Sequence, residues 1–143
     1  MADLVRKSLE NPIVRTEALS IVQTVFAQDK QGAVRGIENY ARSHVKVIDE
    51  NDEILIPPDK AVETIRRQAF IWGDCDDASM LVAALLSSIG IAARFKAVWP
   101  RADGSFSHVF TEYRFGEGFG WMPLDTTINH APVYPSDWIA EAI

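Results

Sequence analysis

Cysteine is almost absent from this chain: of 143 residues, Cys75 alone carries a thiol. One cysteine excludes an internal disulfide, so a core must hold the fold, and a reducing compartment, the cytoplasm, is the expected location. Long apolar runs are missing too. No stretch approaches the ~18 residues of a membrane span, and Met1-Ala2-Asp3-Leu4-Val5-Arg6-Lys7 lacks the basic-then-apolar layout of a secretion signal. Positive charge is scarce: Lys and Arg number 14 against 20 Asp and Glu, a formal net charge of −6. That speaks against nucleic acid as a partner, because phosphate binding needs clustered cations. The densest basic stretch, Lys60 to Arg67, is broken by Glu63 and reads as a solvated helix face. Histidine is sparse as well. With three His and one Cys, a zinc site has too few ligands nearby and no calcium-loop pattern occurs, so no metal or cofactor is expected.

What remains is ordinary for a globular protein: 48% hydrophobic and 24% charged residues, in a length that suits one domain over 1–143. Asn11-Pro12 reads as an N-cap followed by proline at the first helical position, and Val14, Ala18, Ile21, Val22 and Val25 recur at helical spacing. Asp29 to Gly32 reads as a turn. A second helix follows, with Ala33, Val34, Ile37, Tyr40 and Ala41 on its apolar side. Val45, Val47 and Ile48 form a run too short to classify. Asp49 to Asp52 reads as an acidic loop, and Ile54-Leu55-Ile56 ends against Pro57-Pro58. Another helix is expected from about Asp59 to Gln68, before Phe70-Ile71-Trp72-Gly73. A later helix runs to Ser87-Ser88-Ile89-Gly90, with Gly90 as its C-terminal cap. Then the period changes: Ala92 to Val98, Ser107 to Tyr113 and Gly120 to Leu124 read as strands separated by turn-rich segments. A short final helix is expected from Ser136. Helices first and strands second point to α+β with an antiparallel sheet of at least three strands.

The most informative stretch is Gly73-Asp74-Cys75-Asp76-Asp77, followed by the apolar Ala78 to Leu86. Asp74 suits an N-cap, and Asp77, three residues on, gives a near capping box. Cys75 is then the first helical residue, where unpaired amides and the helix dipole favour a thiolate. The usual fate of a lone cysteine is burial as a small hydrophobe, but glycine and three aspartates are poor company for that. A nucleophilic thiol needs a base and a group that orients the base. His108, in Ser107-His108-Val109-Phe110, and Asp125, in Trp121-Met122-Pro123-Leu124-Asp125-Thr126-Thr127, fall within or at the end of two predicted strands and supply both. The flanking aspartates oppose the helix terminus, so holding a thiolate depends on His108 becoming an imidazolium.

This layout resembles the transglutaminase-like superfamily. The resemblance is carried by Gly73 to Ala78, Leu81 with Leu85-Leu86, Gly90-Ile91-Ala92-Ala93-Arg94, His108-Val109-Phe110 and Trp121 to Thr127, about the C-terminal half of the chain. It implies a papain-like core with Cys75 as nucleophile, His108 as base and Asp125 as the orienting group. The helical first half looks similar to bacterial and phage-associated members. Nothing in the sequence supports the calcium dependence of animal transglutaminases. The backbone N–H of Cys75 is the natural first oxyanion donor. Trp72 is a candidate second donor or cleft residue, with core packing as the plainer alternative. His44 suits a helix C-terminus, His130 sits in a polar loop, and Trp99, Trp121 and Trp138 read as packing residues.

The expected function is thiol-dependent acyl chemistry on an amide: hydrolysis of a peptide or isopeptide bond, or transfer of an acyl group to an amine. The partner is then a protein or peptide substrate, with neither nucleic acid nor membrane involved and the oligomeric state open. The rival expectation is a non-catalytic assembly factor of a phage or bacterial particle that keeps the fold. A redox sensor built on Cys75 lacks a resolving cysteine.

Overall fold

Helices fill the first half of the chain and strands the second, as the change of period predicts. The structure is a computed structural model and describes residues 1–25, 27–48, 54–128 and 138–143. In order, the elements are α1 (Ala2–Ser8), α2 (Pro12–Val22), α3 (Lys30–His44), β1 (Val45–Val47), α4 (Pro58–Gln68), β2 (Ile71–Gly73), α5 (Cys75–Ser88), β3 (Ala92–Pro100), β4 (Phe106–Arg114), β5 (Met122–Leu124) and β6 (Trp138–Ala142). Strands β5-β4-β3-β6 form an antiparallel sheet, and β1 pairs with β2 in parallel. The fold is therefore α+β, with the antiparallel sheet that was expected.

Helix α5 is the centre. Its residues from Asp77 to Leu86 are all buried, because α1, α2 and α3 cover one side while β3 and β4 cover the other. A helix apolar on every side must be enclosed on every side. Met80, Leu81, Leu85 and Leu86 have no exposed surface, and each contributes about 1.5–3 kcal/mol of burial. Two hydrogen bonds set the height of β4 against α5: Thr111 Oγ1 donates to the Ser79 carbonyl at 2.9 Å, and Ser79 Oγ donates to the Val109 carbonyl at 3.3 Å. The helix ends as expected, with Gly90 at φ 84° and Ile91 N returning to Leu86 O at 3.0 Å.

Two expectations are corrected, and one open stretch is assigned. Asp29 to Gly32 is not a turn. Asp29 caps α3, accepting from Gly32 N at 2.8 Å, and a Cβ at position 32 would lie 2.3 Å from Asp29 Oδ2. The stretch after Ser136 is not helical where it is described. Trp138–Ala142 pairs with β3, Arg94 opposite Ala142 and Val98 opposite Trp138. The unclassified Val45 to Val47 is a strand, pairing with Ile71–Gly73. One helix, α1, was not anticipated. The acidic loop expected at Asp49 to Asp52, residue Ser136 and His130 all lie outside the described residues. No helix among those described is long and apolar enough to cross a membrane.

Candidate active site

Cys75 is placed by the junction of β2 and α5. β1 holds β2 in parallel register, and Ile48 N donates to Gly73 O at 2.9 Å. Strand becomes helix at Asp74, whose Oδ1 accepts from Asp76 N at 2.9 Å and Asp77 N at 3.2 Å. Asp77 Oδ2 accepts from Asp74 N at 3.2 Å in return, so the near capping box of the sequence is a complete one. Asp77 Oδ1 also accepts from Ile56 N at 2.8 Å, pinning the segment before α4 to the base of α5. Burial pushes the Asp77 carboxyl up to about 6, against the two amide bonds that favour its charged form; Asp74 and Asp76 push in the same direction as burial. Position 73 must be small, since a Cβ there would lie 2.9 Å from Asp77 Cβ.

The tip of α5 delivers the thiol to an imidazole on β4. His108 Nε2–H donates to Asp125 Oδ2 at 2.5 Å, which leaves Nδ1 free of Asp125, and Cys75 lines the same cavity wall as this ring. Burial alone would lower the basicity of His108. The hydrogen bonds and negative charges of Asp125 and Cys75 outweigh it and raise the imidazole from 6.5 to about 9. Burial likewise works against ionising Asp125, yet bonds from His108 and Thr127 hold its carboxyl below the usual range. Thr127 contributes both its amide, at 3.1 Å, and its hydroxyl, at 2.8 Å, to Asp125 Oδ1.

Two further side chains shape this group. Arg42, on α3, donates to the carbonyls of Asp125 at 3.0 Å, Ile128 at 2.7 Å and Thr126 at 3.4 Å. One guanidinium thus gathers the turn that carries Asp125, and Glu38 steadies it at 3.2 Å. Trp99 is not the packing residue that was expected. It is 41% exposed, has a left-handed backbone at φ 58°, and sets its ring 5.4 Å from that of His108. Phe110, stacked at 6.1 Å, also flanks the imidazole. Neither role was legible in the sequence: Arg42 looks like any helix-surface cation, and a residue before proline is expected to be extended.

A cavity of about 660 Å³ opens beside the thiol and imidazole. Leu55, Phe95, Ala97, Val109 and Ile139 give it apolar walls, and Asp74, Asp76, Asp103, Glu141 and Arg101 give it charged ones.

Of the residues singled out in the sequence, Cys75, His108 and Asp125 come together and Trp72 does not. Trp72 lies on β2, 52% exposed, edge-on to Phe70 at 5.7 Å and outside the cavity wall. The alternative of core packing for Trp72 fails as well, because β2 turns this position outward. Trp121 packs between the guanidiniums of Arg94 and Arg114, at 4.4 and 4.7 Å, while the side chain of Trp138 lies outside the described residues. His44 Nδ1 meets the Ala69 carbonyl at 2.6 Å, tying the end of α3 to the cap of α4. No group of three or more His, Cys, Asp and Glu that would suit a metal ion occurs among the described residues.

Comparison with protein families finds a match to the family described as the transglutaminase-like superfamily, over residues 18–126. That span covers well over half the chain and contains Cys75, His108 and Asp125. No curated protein and no solved structure matches.

Proposed function

The chain belongs to the transglutaminase-like superfamily, and from that premise we propose that it is a cysteine enzyme acting on amide bonds of proteins or peptides. The observation that carries this reading is the His108–Asp125 hydrogen bond, with His108 and Cys75 both lining one cavity.

In this reading His108 is an imidazolium near neutral pH, and Cys75 reacts as the thiolate that pairs with it. The Cys75 sulfur attacks the amide carbonyl carbon, and the new oxyanion meets the amide of Cys75, a donor without a partner inside the helix. The C–N bond breaks, the amine leaves with the proton from His108 Nδ1, and a thioester remains. Water then gives a proton to the neutral imidazole and attacks the thioester carbonyl. The C–S bond breaks, a carboxylic acid departs, and the thiolate–imidazolium pair returns. An amine taking the place of water gives acyl transfer instead. Hydrolysis is the default, since water is always available. Asp125 holds the ring tautomer and stabilises the imidazolium, and Arg42 fixes Asp125.

The test uses the full chain with a pool of peptides, in the presence and absence of an added primary amine. Mass spectrometry should find new carboxyl termini, or amine adducts, that depend on Cys75 and vanish in Cys75→Ser at an unchanged melting temperature. Products identical in parent and Cys75→Ser, or full biological activity in that variant, would overturn the enzyme reading and leave the assembly-factor alternative.

A further inference from the structure

The geometry points to a cavity that selects substrates bearing a cationic side chain of lysine or arginine type, with Asp76 and Glu141 as the residues that set the preference. This inference rests on the thiol reading above and deepens it. Four carboxylates, Asp74, Asp76, Asp103 and Glu141, line the cavity, against Arg101, the residue Met1 and the His108 ring, whose charge is already met by Asp125. Two of the four are already engaged. Asp74 accepts from two amides of α5. Asp103 accepts from the amide and hydroxyl of Ser105, at 2.9 and 2.6 Å, in the turn between β3 and β4.

Asp76 and Glu141 are left facing the space. Asp76 is half-buried beside the nucleophile, and among the described residues its carboxylate accepts no hydrogen bond and forms no ion pair. The cations that act on it, the Met1 amino group and His108, do so at longer range. Burial, and after it Asp74, raise the Asp76 carboxyl, so its charged form is under-compensated in the empty cavity. Glu141 stands on β6, opposite Phe95 of β3, whose ring is one of the apolar walls. Apolar walls with a carboxylate at each side suit a side chain that is aliphatic along its stem and positive at its tip. A negatively charged substrate would meet the same carboxylates as repulsion, so the site discriminates in both directions.

The experiment reads charge preference without requiring turnover. Cys75 in the full chain is reacted with three methanethiosulfonates: cationic trimethylammonium-ethyl, neutral methyl and anionic sulfonatoethyl. Rates are referred to those of a small free thiol. The cationic-to-anionic ratio should exceed the free-thiol ratio by about tenfold or more and shrink in high salt. It should fall at least about threefold in Asp76→Asn and in Glu141→Gln, and stay put in Glu63→Gln on α4. A lysine peptide should protect Cys75 from iodoacetamide better than its acetylated counterpart. A ratio equal to that of the free thiol, or one unmoved in both cavity variants, overturns the inference. Glu141 lies on an exposed strand, so its variant keeps the test decisive if Asp76→Asn folds poorly. The neutral reagent separates the two readings: if its rate is the same in parent and His108→Ala, thiol activation fails, whatever the charge ratio shows.

Discussion

Nε2 of His108 donates to Oδ2 of Asp125 across 2.5 Å, and the two side chains are only 11% and 4% exposed. Burial alone would strip the imidazole of its proton, but the Asp125 bond and the nearby negative charge outweigh it and keep the ring protonated well above neutrality, with a value of about 9. Amide turnover should therefore persist through neutral pH and fall as pH rises through about 9, where the proton for the leaving amine is lost. In Asp125→Asn one of the raising influences is gone, so the alkaline limb should move to lower pH and the maximal rate should drop. A pH–rate profile of both proteins checks this, and an unmoved limb would exclude Asp125 as the partner that sustains the imidazolium. Near neutral pH, His108→Ala should slow iodoacetamide alkylation of Cys75.

Stability should follow pH in the same sense. The His108 value is raised on folding, from 6.5 to about 9. Its contribution, on the order of 3 kcal/mol, is fully present below pH 6.5 and is lost as pH rises through about 9. Asp125 is shifted down, so its contribution is present above about pH 4 and is lost in acid. Urea titrations between pH 6 and pH 10 should show a decline in stability for the parent that His108→Ala flattens.

Arg42 has a role that extends beyond packing. Arg42→Met removes the donors to three carbonyls and should cost about 1–3 kcal/mol of stability. If the clamp also positions Asp125, the alkaline limb should shift in this variant, which a purely structural residue would not cause. Arg42→Lys should restore the limb only in part, since an ammonium lacks the planar fork that reaches several carbonyls at once.

Gly73→Ala places a methyl group 2.9 Å from Asp77 Cβ. The collision falls on a side chain that holds both Asp74 N and Ile56 N, so it should loosen the helix start. A loss of about 1–3 kcal/mol is expected, together with slower alkylation of Cys75 by iodoacetamide. Thermal melts and alkylation rates measure the two effects separately.

The sequence made the start of α5 legible because capping is local chemistry: Asp74, Cys75 and Asp77 sit within one turn. The order Cys75, His108, Asp125 was readable for a similar reason, since each lies in a short motif of its own. What escaped depends on distant contacts. The seven-residue α1 is too short to hold on propensity and is docked through buried Ala2 and Val5 and through Ser8 Oγ, which donates to Asp59 Oδ1 at 2.9 Å. Trp138-Ile139-Ala140-Glu141-Ala142 has helix-forming alanine and glutamate, yet pairing with β3 decides its state. β1 and β2 are three residues each, and their pairing joins segments far apart in the sequence. Arg42 and Trp99 reach His108 and Asp125 from elements whose local sequence gives no hint of either.

The enclosure of α5 has a bearing on how the site opens and closes. Backbone amides from Ala78 to Leu86 lie inside the molecule and should be among the last to exchange with deuterated solvent, opening only when the whole protein unfolds. The thiol stands on the same helix, three residues before that slow-exchanging block, so the backbone that carries it is anchored. Accommodation falls instead to the exposed Arg101–Ser105 turn on the cavity's rim. A crosslink that immobilised the turn would hinder entry of bulky molecules into the cavity and leave the reaction of Cys75 with a small alkylating agent unchanged.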